Sequence, residues 1–350
     1  LMVGLNHLGF APYGDEEDSD SLVAELVAGY DVIIGGHSHT KLDPAVIVSS
    51  DVNPDGTLVA QAEKYALYLG VVNVGFVGDE IEGYLIPASE ATPDPDMEAF
   101  LAPYIAEIDA YNGTVIGQTE VPIDALNAYT EESNAANLQA DAATWKLEDG
   151  GIGVDVHLSG AMSNRLVAEG ATPASPVTLT KGDMFNLMPY ENSLVVFEMT
   201  GVQLKEILER SYRNYWYYEY EEDYGGYSHY TTCALATNAG NVIEYLDSGA
   251  LVQPDGDDVL GLTIGGVPVD FTDDTTTYNV STVNYVAAGS CNFNNDGETI
   301  WPLDQIIYDT QLYVRDAVID YVEAQSGPIA PAVEGRLVFK IGRASCRERV

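Results

Sequence analysis

The chain has 350 residues, with 55 acidic against 14 basic side chains and a formal net charge of −41. So negative a surface repels phosphate backbones and sets the chain against nucleic-acid polymers as partners. With 46% hydrophobic and only 20% charged residues it is globular rather than disordered and long enough for two domains, and no apolar run is long enough to span a membrane.

The first predicted element is "MVGLNHLGF" (2–10), a strand running into a loop. "DSDSLVAELVAGY" (18–30) reads as a helix with acidic residues at its start, and "DVIIGG" (31–36) as a buried strand closed by a glycine turn. "YALYLGVVNVGFVGDEIEGYLIP" (65–87) reads as a hairpin turning at Gly78-Asp79. Pro93 and Pro95 then break the chain, and Asp96 is the predicted cap of a helix running towards Tyr111. The domain boundary is placed there. Beyond about residue 115 the pattern is mixed: helices at "SNAANLQADAATWKL" (133–147) and "GVQLKEILERSYRNY" (201–215), strands at "SLVVFEM" (193–199), "LGLTIGG" (260–266) and "TYNVSTVNY" (277–285). No internal repeat is present.

Two of the five histidines, His37 and His39, sit two positions apart directly after the Gly35-Gly36 pair. Strand ends of α/β sheets are where sites tend to be built, and an H-x-H pair can aim two imidazole nitrogens at one metal ion. The competing reading is a polar loop with incidental histidines. Cys233, Cys291 and Cys346 have no metal-ligand spacing, and a chain this poor in cysteine is compatible with secretion. The chain starts inside a strand-like segment, so further sequence is expected before Leu1. The arginine-rich "IGRASCRERV" (341–350) is read as a non-native tail.

"HLG" at 7–9 followed by "YDVIIGGHSHT" at 30–40 resembles the C-terminal part of a calcineurin-like metallophosphatase domain. "ESNAANLQADA", "SGAMSNRLVAEG", "LMPYENSLVVFEMTG" and "TVNYVAAGSCNFNNDG" resemble, in family order, the substrate-binding domain that follows it in 5'-nucleotidases. The resemblance implies an α/β (mixed α+β) fold. Residues 1–87 would be a truncated metallophosphatase α/β sandwich, 88–114 a linker and connecting helix, and 115–340 the 5'-nucleotidase C-terminal domain. It also implies two divalent metal ions of the zinc, manganese or magnesium kind, with water as the nucleophile on phosphorus. His7 and His37 match ligands of one ion and His39 a ligand of the other. The family's Asp-x-His, bridging Gly-Asp and G-N-H-D/E segments have no counterpart in residues 1–87. The resemblance therefore supplies no matching catalytic histidine, and turnover is not expected from residues 1–350 alone.

In the second half, Tyr190 and Tyr285 match the two aromatic walls for a nucleobase, and Asn192 the asparagine that hydrogen-bonds it. Asp296 matches the aspartate that grips the ribose, next to an insertion, "SCNFNN". Many relatives hold phosphate with two arginines. Here the first position is Glu131, and Arg165 is offset by one residue from the second. That departure argues against simple nucleoside monophosphates and leaves cyclic phosphodiesters, nucleotide sugars or larger nucleotides as substrates, with a non-catalytic nucleoside-binding module as the rival reading. The resemblance implies an extracellular, periplasmic or cell-surface location and leaves the oligomeric state undetermined. His157 reads as a strand-end residue, and His229 with Glu221, Glu222 and Asp223 as a solvated acidic loop with cation-binding as its alternative. Pairing of Cys233 with Cys291 and two separate thiols are held as equal alternatives.

Overall fold

The computed structural model describes residues 1–11, 18–75, 81–220, 235–247 and 254–341. The chain divides into two compact units, Leu1–Pro103 and Tyr104–Val350. His229 with its acidic neighbours, Cys233, Cys346 and most of the 341–350 segment lie outside the described residues.

In the first unit, strands β1 (Val3–Leu5), β2 (Val32–Ile34), β3 (Val46–Val48) and β4 (Thr57–Ala60) form a sheet of order β1-β2-β4-β3. β1, β2 and β4 are parallel and β3 antiparallel. Parallel neighbours need a crossover, and helix α1 (Asp20–Leu26) supplies the one from β1 to β2. Its start is fixed by Ser19, whose Oγ accepts the Leu22 amide at 3.2 Å. Ala24 of α1 packs on Ile33, Leu42 and Val59, a small core beneath the sheet. β1 is shorter than its sequence predicts. Asn6 N donates to Ile34 O at 3.0 Å, and β2 then gives way to the glycine turn, so the chain beyond Asn6 has no partner strand. The predicted hairpin forms from β5 (Tyr68–Asn73) and β6 (Glu82–Pro87), in register from Tyr68↔Pro87 to Asn73↔Glu82. The predicted turn at Gly78-Asp79 lies outside the described residues.

Helix α2 (Pro95–Asn112) starts two residues earlier than a cap at Asp96 would put it, and its cap is Asp94. Asp94 Oδ1 accepts the amides of Asp96 and Met97 at 2.9 and 3.2 Å. Pro95 opens the helix because a first-turn residue needs no amide donor; the cap therefore has to precede it.

The second unit contains two small two-stranded ladders, β7 (Val115–Thr119) with β11 (Val177–Thr180) and β8 (Ile123–Asp124) with β10 (Leu166–Val167). Its central sheet has the order β19-β12-β16-β9, from β9 (Val156–His157), β12 (Ser193–Thr200), β16 (Thr277–Val283) and β19 (Ile306–Tyr313). β12 is antiparallel to both neighbours, whereas β9 runs parallel to β16. Leu194 to Phe197 of β12 are all buried, as a short continuous apolar run requires of a central strand. Helices α3 (Asn134–Asp149), α4 (Lys181–Leu187), α5 (Gly201–Tyr220), α6 (Asn284–Ala287) and α7 (Val314–Glu323) complete the mixed α/β unit. A second sheet, β15-β14-β13-β20, pairs β13 (Val242–Asp247) antiparallel with β14 (Val259–Ile264) and parallel with β20 (Leu337–Ile341); β15 is Val267–Pro268. Trp216, Trp301, Tyr212, Tyr245, Phe197 and Phe293 are the largest fully buried side chains among the described residues, all in the second unit.

A polar clamp joins α3 to the segment entering β20. Glu132 accepts the amides of Glu334 and Arg336, both at 2.8 Å, and Leu337 at 3.3 Å, besides Asn137 Nδ2 at 2.7 Å. Burial alone would raise the Glu132 carboxyl; these donors outweigh it and hold it below its ordinary value. Arg336, 6% exposed, forks onto Asp141 at 2.7 and 2.8 Å, onto Glu334, and donates to Thr237 O at 3.0 Å.

Candidate functional site

In the first unit the sequence from β2 into Gly35-Gly36 throws His37 and His39 into the left-handed region, at φ 70° and 54°. That conformation costs an L-residue roughly 1–2 kcal/mol, so the surrounding contacts must enforce it. Gln61, buried at the end of β4, does so. Its Nε2 donates to Gly36 O at 2.9 Å, while its Oε1 accepts Ser38 Oγ at 3.1 Å and the Thr40 amide. Ser38 Oγ also accepts the Phe10 amide at 3.0 Å, tying in the segment after His7. Gln61 carried no motif and was missed from sequence, since its partners are 21–25 residues away.

His7 and His37 come together with ring centroids 5.2 Å apart at an interplanar angle of 70°. Two imidazoles on one tetrahedral ion at ~2.0–2.1 Å per bond hold their ring centres about 5 Å apart, so this pair fits two donors to one metal. Both residues are exposed. A side chain at Gly36 would come within 2.8 Å of His7 Nδ1, so glycine is what lets the ring lie flat on the turn. The His39 ring neighbours that of Tyr65, their centroids 6.4 Å apart. Among the described residues no three of His, Cys, Asp and Glu are gathered so as to hold an ion. Asp20 lies beneath the turn, fully buried. Burial raises its carboxyl above the ordinary value, against a hydrogen bond from Asn6 and the nearby His7.

In the second unit, Tyr190 precedes β12 and Tyr285 follows β16. Because those strands are antiparallel, with Leu194 opposite Val283, both tyrosines stand at the same end of the central sheet. The Ser193 amide donates to Asn284 Oδ1 at 3.1 Å and joins the two segments. Tyr190 and Tyr285 are 56% and 47% exposed. Partial burial pushes the Tyr285 hydroxyl above its ordinary value; Cys291 and Tyr190 push it the same way, and a hydrogen bond with Ser290 opposes them. Asn192 anchors the same loop: its carbonyl accepts the Val314 amide at 3.0 Å, and its Nδ2 approaches Met162 Sδ at 3.9 Å. Asp296 is exposed and, with Gly297, forms a two-residue hairpin between β17 (Asn294–Asn295) and β18 (Glu298–Thr299). Their φ angles, 50° and 83°, are those of a type I′ turn, the usual home of Asp-Gly. Arg165 is exposed beside β10, its carbonyl accepting the Ala125 amide at 2.9 Å. His157 is a buried strand residue, 0% exposed, hydrogen-bonded to Ser281 and Ser159. Cys291 is buried; its pairing with Cys233 falls outside the described residues.

Arg315 escaped the sequence reading, because nothing in its own neighbourhood signals a role. Its guanidinium lies 3.8 Å over the Phe185 ring, donates to Met188 O at 3.0 Å and approaches Glu191 at 3.5 Å. It thus holds from below the loop that carries Tyr190. Arg315→Met leaves Met188 O without its donor, at a cost of about 1–3 kcal/mol. Amide exchange over residues 187–193 should quicken and the thermal midpoint should fall by several degrees. Unchanged exchange over that loop would remove the role.

The second unit is thus a mixed α/β domain whose central sheet carries Tyr190 and Tyr285, both exposed, at one of its ends. Residues 115–295 match the model of the 5'-nucleotidase, C-terminal domain, and the chain belongs to that family. It is 29% identical over 96% of its length to the trifunctional nucleotide phosphoesterase protein YfkN of Bacillus subtilis (strain 168), and 25% identical over 97% to a 5'-nucleotidase of Diplobatis ommata. It spans only 21% and 58% of those two relatives' lengths. A putative 5'-nucleotidase from Staphylococcus aureus, solved in complex with alpha-ketoglutarate, shares the fold. Its TM-score is 0.60 at 20% identity, over 84% of this chain and 53% of that one.

Proposed function

We propose that the chain is the C-terminal portion of a metal-dependent nucleotide phosphoesterase of the 5'-nucleotidase type. Residues 1–87 belong to its metallophosphatase domain, 88–114 to a connecting segment and 115–340 to the nucleoside-holding domain. The observation carrying this reading is the placement of Tyr190 and Tyr285 at one end of one sheet, joined through Ser193 and Asn284. Their rings clamp the base between them, Asn192 hydrogen-bonds its edge, and Asp296 takes the ribose hydroxyls. His7 and His37 hold one divalent ion, and His39 a second. Such ions, when bound, lower the pKa of water and offset charge on the phosphoryl oxygens. Residues 1–350 supply part of that donor set, so binding rather than turnover is expected of them alone. The acidic surface and the relatives' family point to a location outside the cytoplasm. Glu131, standing where relatives carry a phosphate-holding arginine, favours a second reading in which the ligand is a cyclic phosphodiester or nucleotide sugar.

Calorimetric titration with a nucleoside, its 5'-monophosphate, its cyclic phosphate and a nucleotide sugar tests both readings. Tyr190→Ala and Tyr285→Ala should each weaken nucleoside binding about 5- to 150-fold, the equivalent of ~1–3 kcal/mol of base stacking. Equal affinity in wild type and both variants sinks the nucleoside site. Preference for the cyclic or sugar-linked ligand selects the second reading over the first.

A further inference from the structure

Asp20 is the first residue of α1, yet its carboxylate does not serve that helix, whose cap is Ser19. The residue is 0% exposed. One oxygen, Oδ1, accepts Asn6 Nδ2 at 3.0 Å, and Asn6 is the neighbour of His7. The other, Oδ2, is buried and has no hydrogen-bond partner among the described residues. It is packed onto the turn that presents His37: a Cβ added to Gly35 would collide with it. The Asp20 amide in turn donates to Gly9 O at 2.8 Å, two residues beyond His7. A carboxylate oxygen left buried without a donor is costly. Here it is retained beneath the neighbouring imidazoles of His7 and His37.

We propose that Asp20 is a positioning residue for the ion at His7 and His37, an inference that rests on the metal reading of those histidines. Through Asn6 the carboxylate fixes the segment bearing His7, which the Asp20 amide also ties down at Gly9 O, and its other oxygen packs against Gly35 in the turn bearing His37. Its negative charge, shielded from solvent, offsets the charge the ion brings. Removing an outer partner that orients metal ligands commonly costs ~10- to 100-fold in affinity.

The test is titration of the full chain with Zn²⁺ and with Co²⁺, whose visible absorption reports its ligand geometry. Asp20→Asn keeps the size of the side chain and a contact to Asn6 but removes the charge. It should bind either ion ~10- to 100-fold more weakly, with an altered Co²⁺ band and an unchanged far-ultraviolet dichroism spectrum. If Asp20→Asn does not fold, Asn6→Ala, which releases one oxygen only, should give a smaller loss in the same direction. Binding that is lost in His37→Ala but unchanged, in affinity and band, in the Asp20 or Asn6 variant overturns the positioning role and leaves the metal reading standing. Wild type and His37→Ala behaving alike removes the metal reading itself, and this inference with it.

Discussion

Between pH 6.5 and pH 4.5 the second unit should lose stability by about 1.4 kcal/mol per pH unit through His157 alone. The imidazole is fully buried, its two nitrogens 2.8 Å from Ser281 Oγ and 2.7 Å from Ser159 Oγ, and burial pushes its pKa down to about 3. In the unfolded chain the ring titrates near ~6.5. Below that pH the unfolded state therefore binds a proton that the folded state refuses. The stabilisation is complete above pH ~6.5 and drains away as the pH falls towards 3, by an amount on the order of 4–5 kcal/mol in all. All three tryptophans, Trp145, Trp216 and Trp301, lie in this unit, so their fluorescence follows its urea transition. His157→Gln keeps a neutral hydrogen-bonding side chain and should flatten the curve between pH 6.5 and 4.5. Below that range Glu132, whose carboxyl is held down, adds its own loss in both proteins. Identical slopes for wild type and His157→Gln above pH 4.5 would show that the ring is protonated in the folded state.

Arg336→Met should destabilise the same unit by about 3 kcal/mol, at the low end of the ~3–5 kcal/mol that breaking a buried ion pair costs. The guanidinium is buried, whereas the side chains of Asp141 and Glu334 are 26% and 52% exposed, so water shields part of the loss. What remains is an Asp141 carboxylate without its fork and a Thr237 carbonyl without its donor. Because most of the penalty is the abandoned charge, Arg336→Met with Asp141→Leu should recover a good part of it. Arg336→Lys should not match wild type, since a single ammonium cannot reach Asp141, Glu334 and Thr237 together. Additive losses in the double variant would refute the pairing.

What the sequence disclosed follows the range of the forces involved. β2, β5, β6, β12, β16, α3 and α5 are written in local periodicity, and they form where that periodicity puts them. β1 was read too long because a strand lasts only as far as its partner, and no residue in "MVGLNHLGF" records that β2 stops at Ile34. The α2 cap was misplaced by two residues although Pro95 held the answer. Asp296-Gly297 carried two messages, a family aspartate and a hairpin turn; the geometry states the second. Tyr190, Tyr285 and the glycine-histidine turn could be picked out because motifs mark them. Arg315, Gln61 and Asp20 could not, because each acts on a segment far along the chain and none sits in a pattern of its own.

The clamp between Glu132 and residues 334–337, together with the parallel pairing of Ile243 with Leu337, bears on the order in which this molecule can be made. A ribosome releases residue 132 some two hundred residues before the backbone amides that its carboxylate must collect. Until then β13 presents an open edge, and Glu132 just before α3 and Asp141 in its middle wait without their partners. Nascent chains halted before residue 334 should accordingly remain protease-sensitive across the second unit, and the closing of that unit should coincide with the emergence of β20.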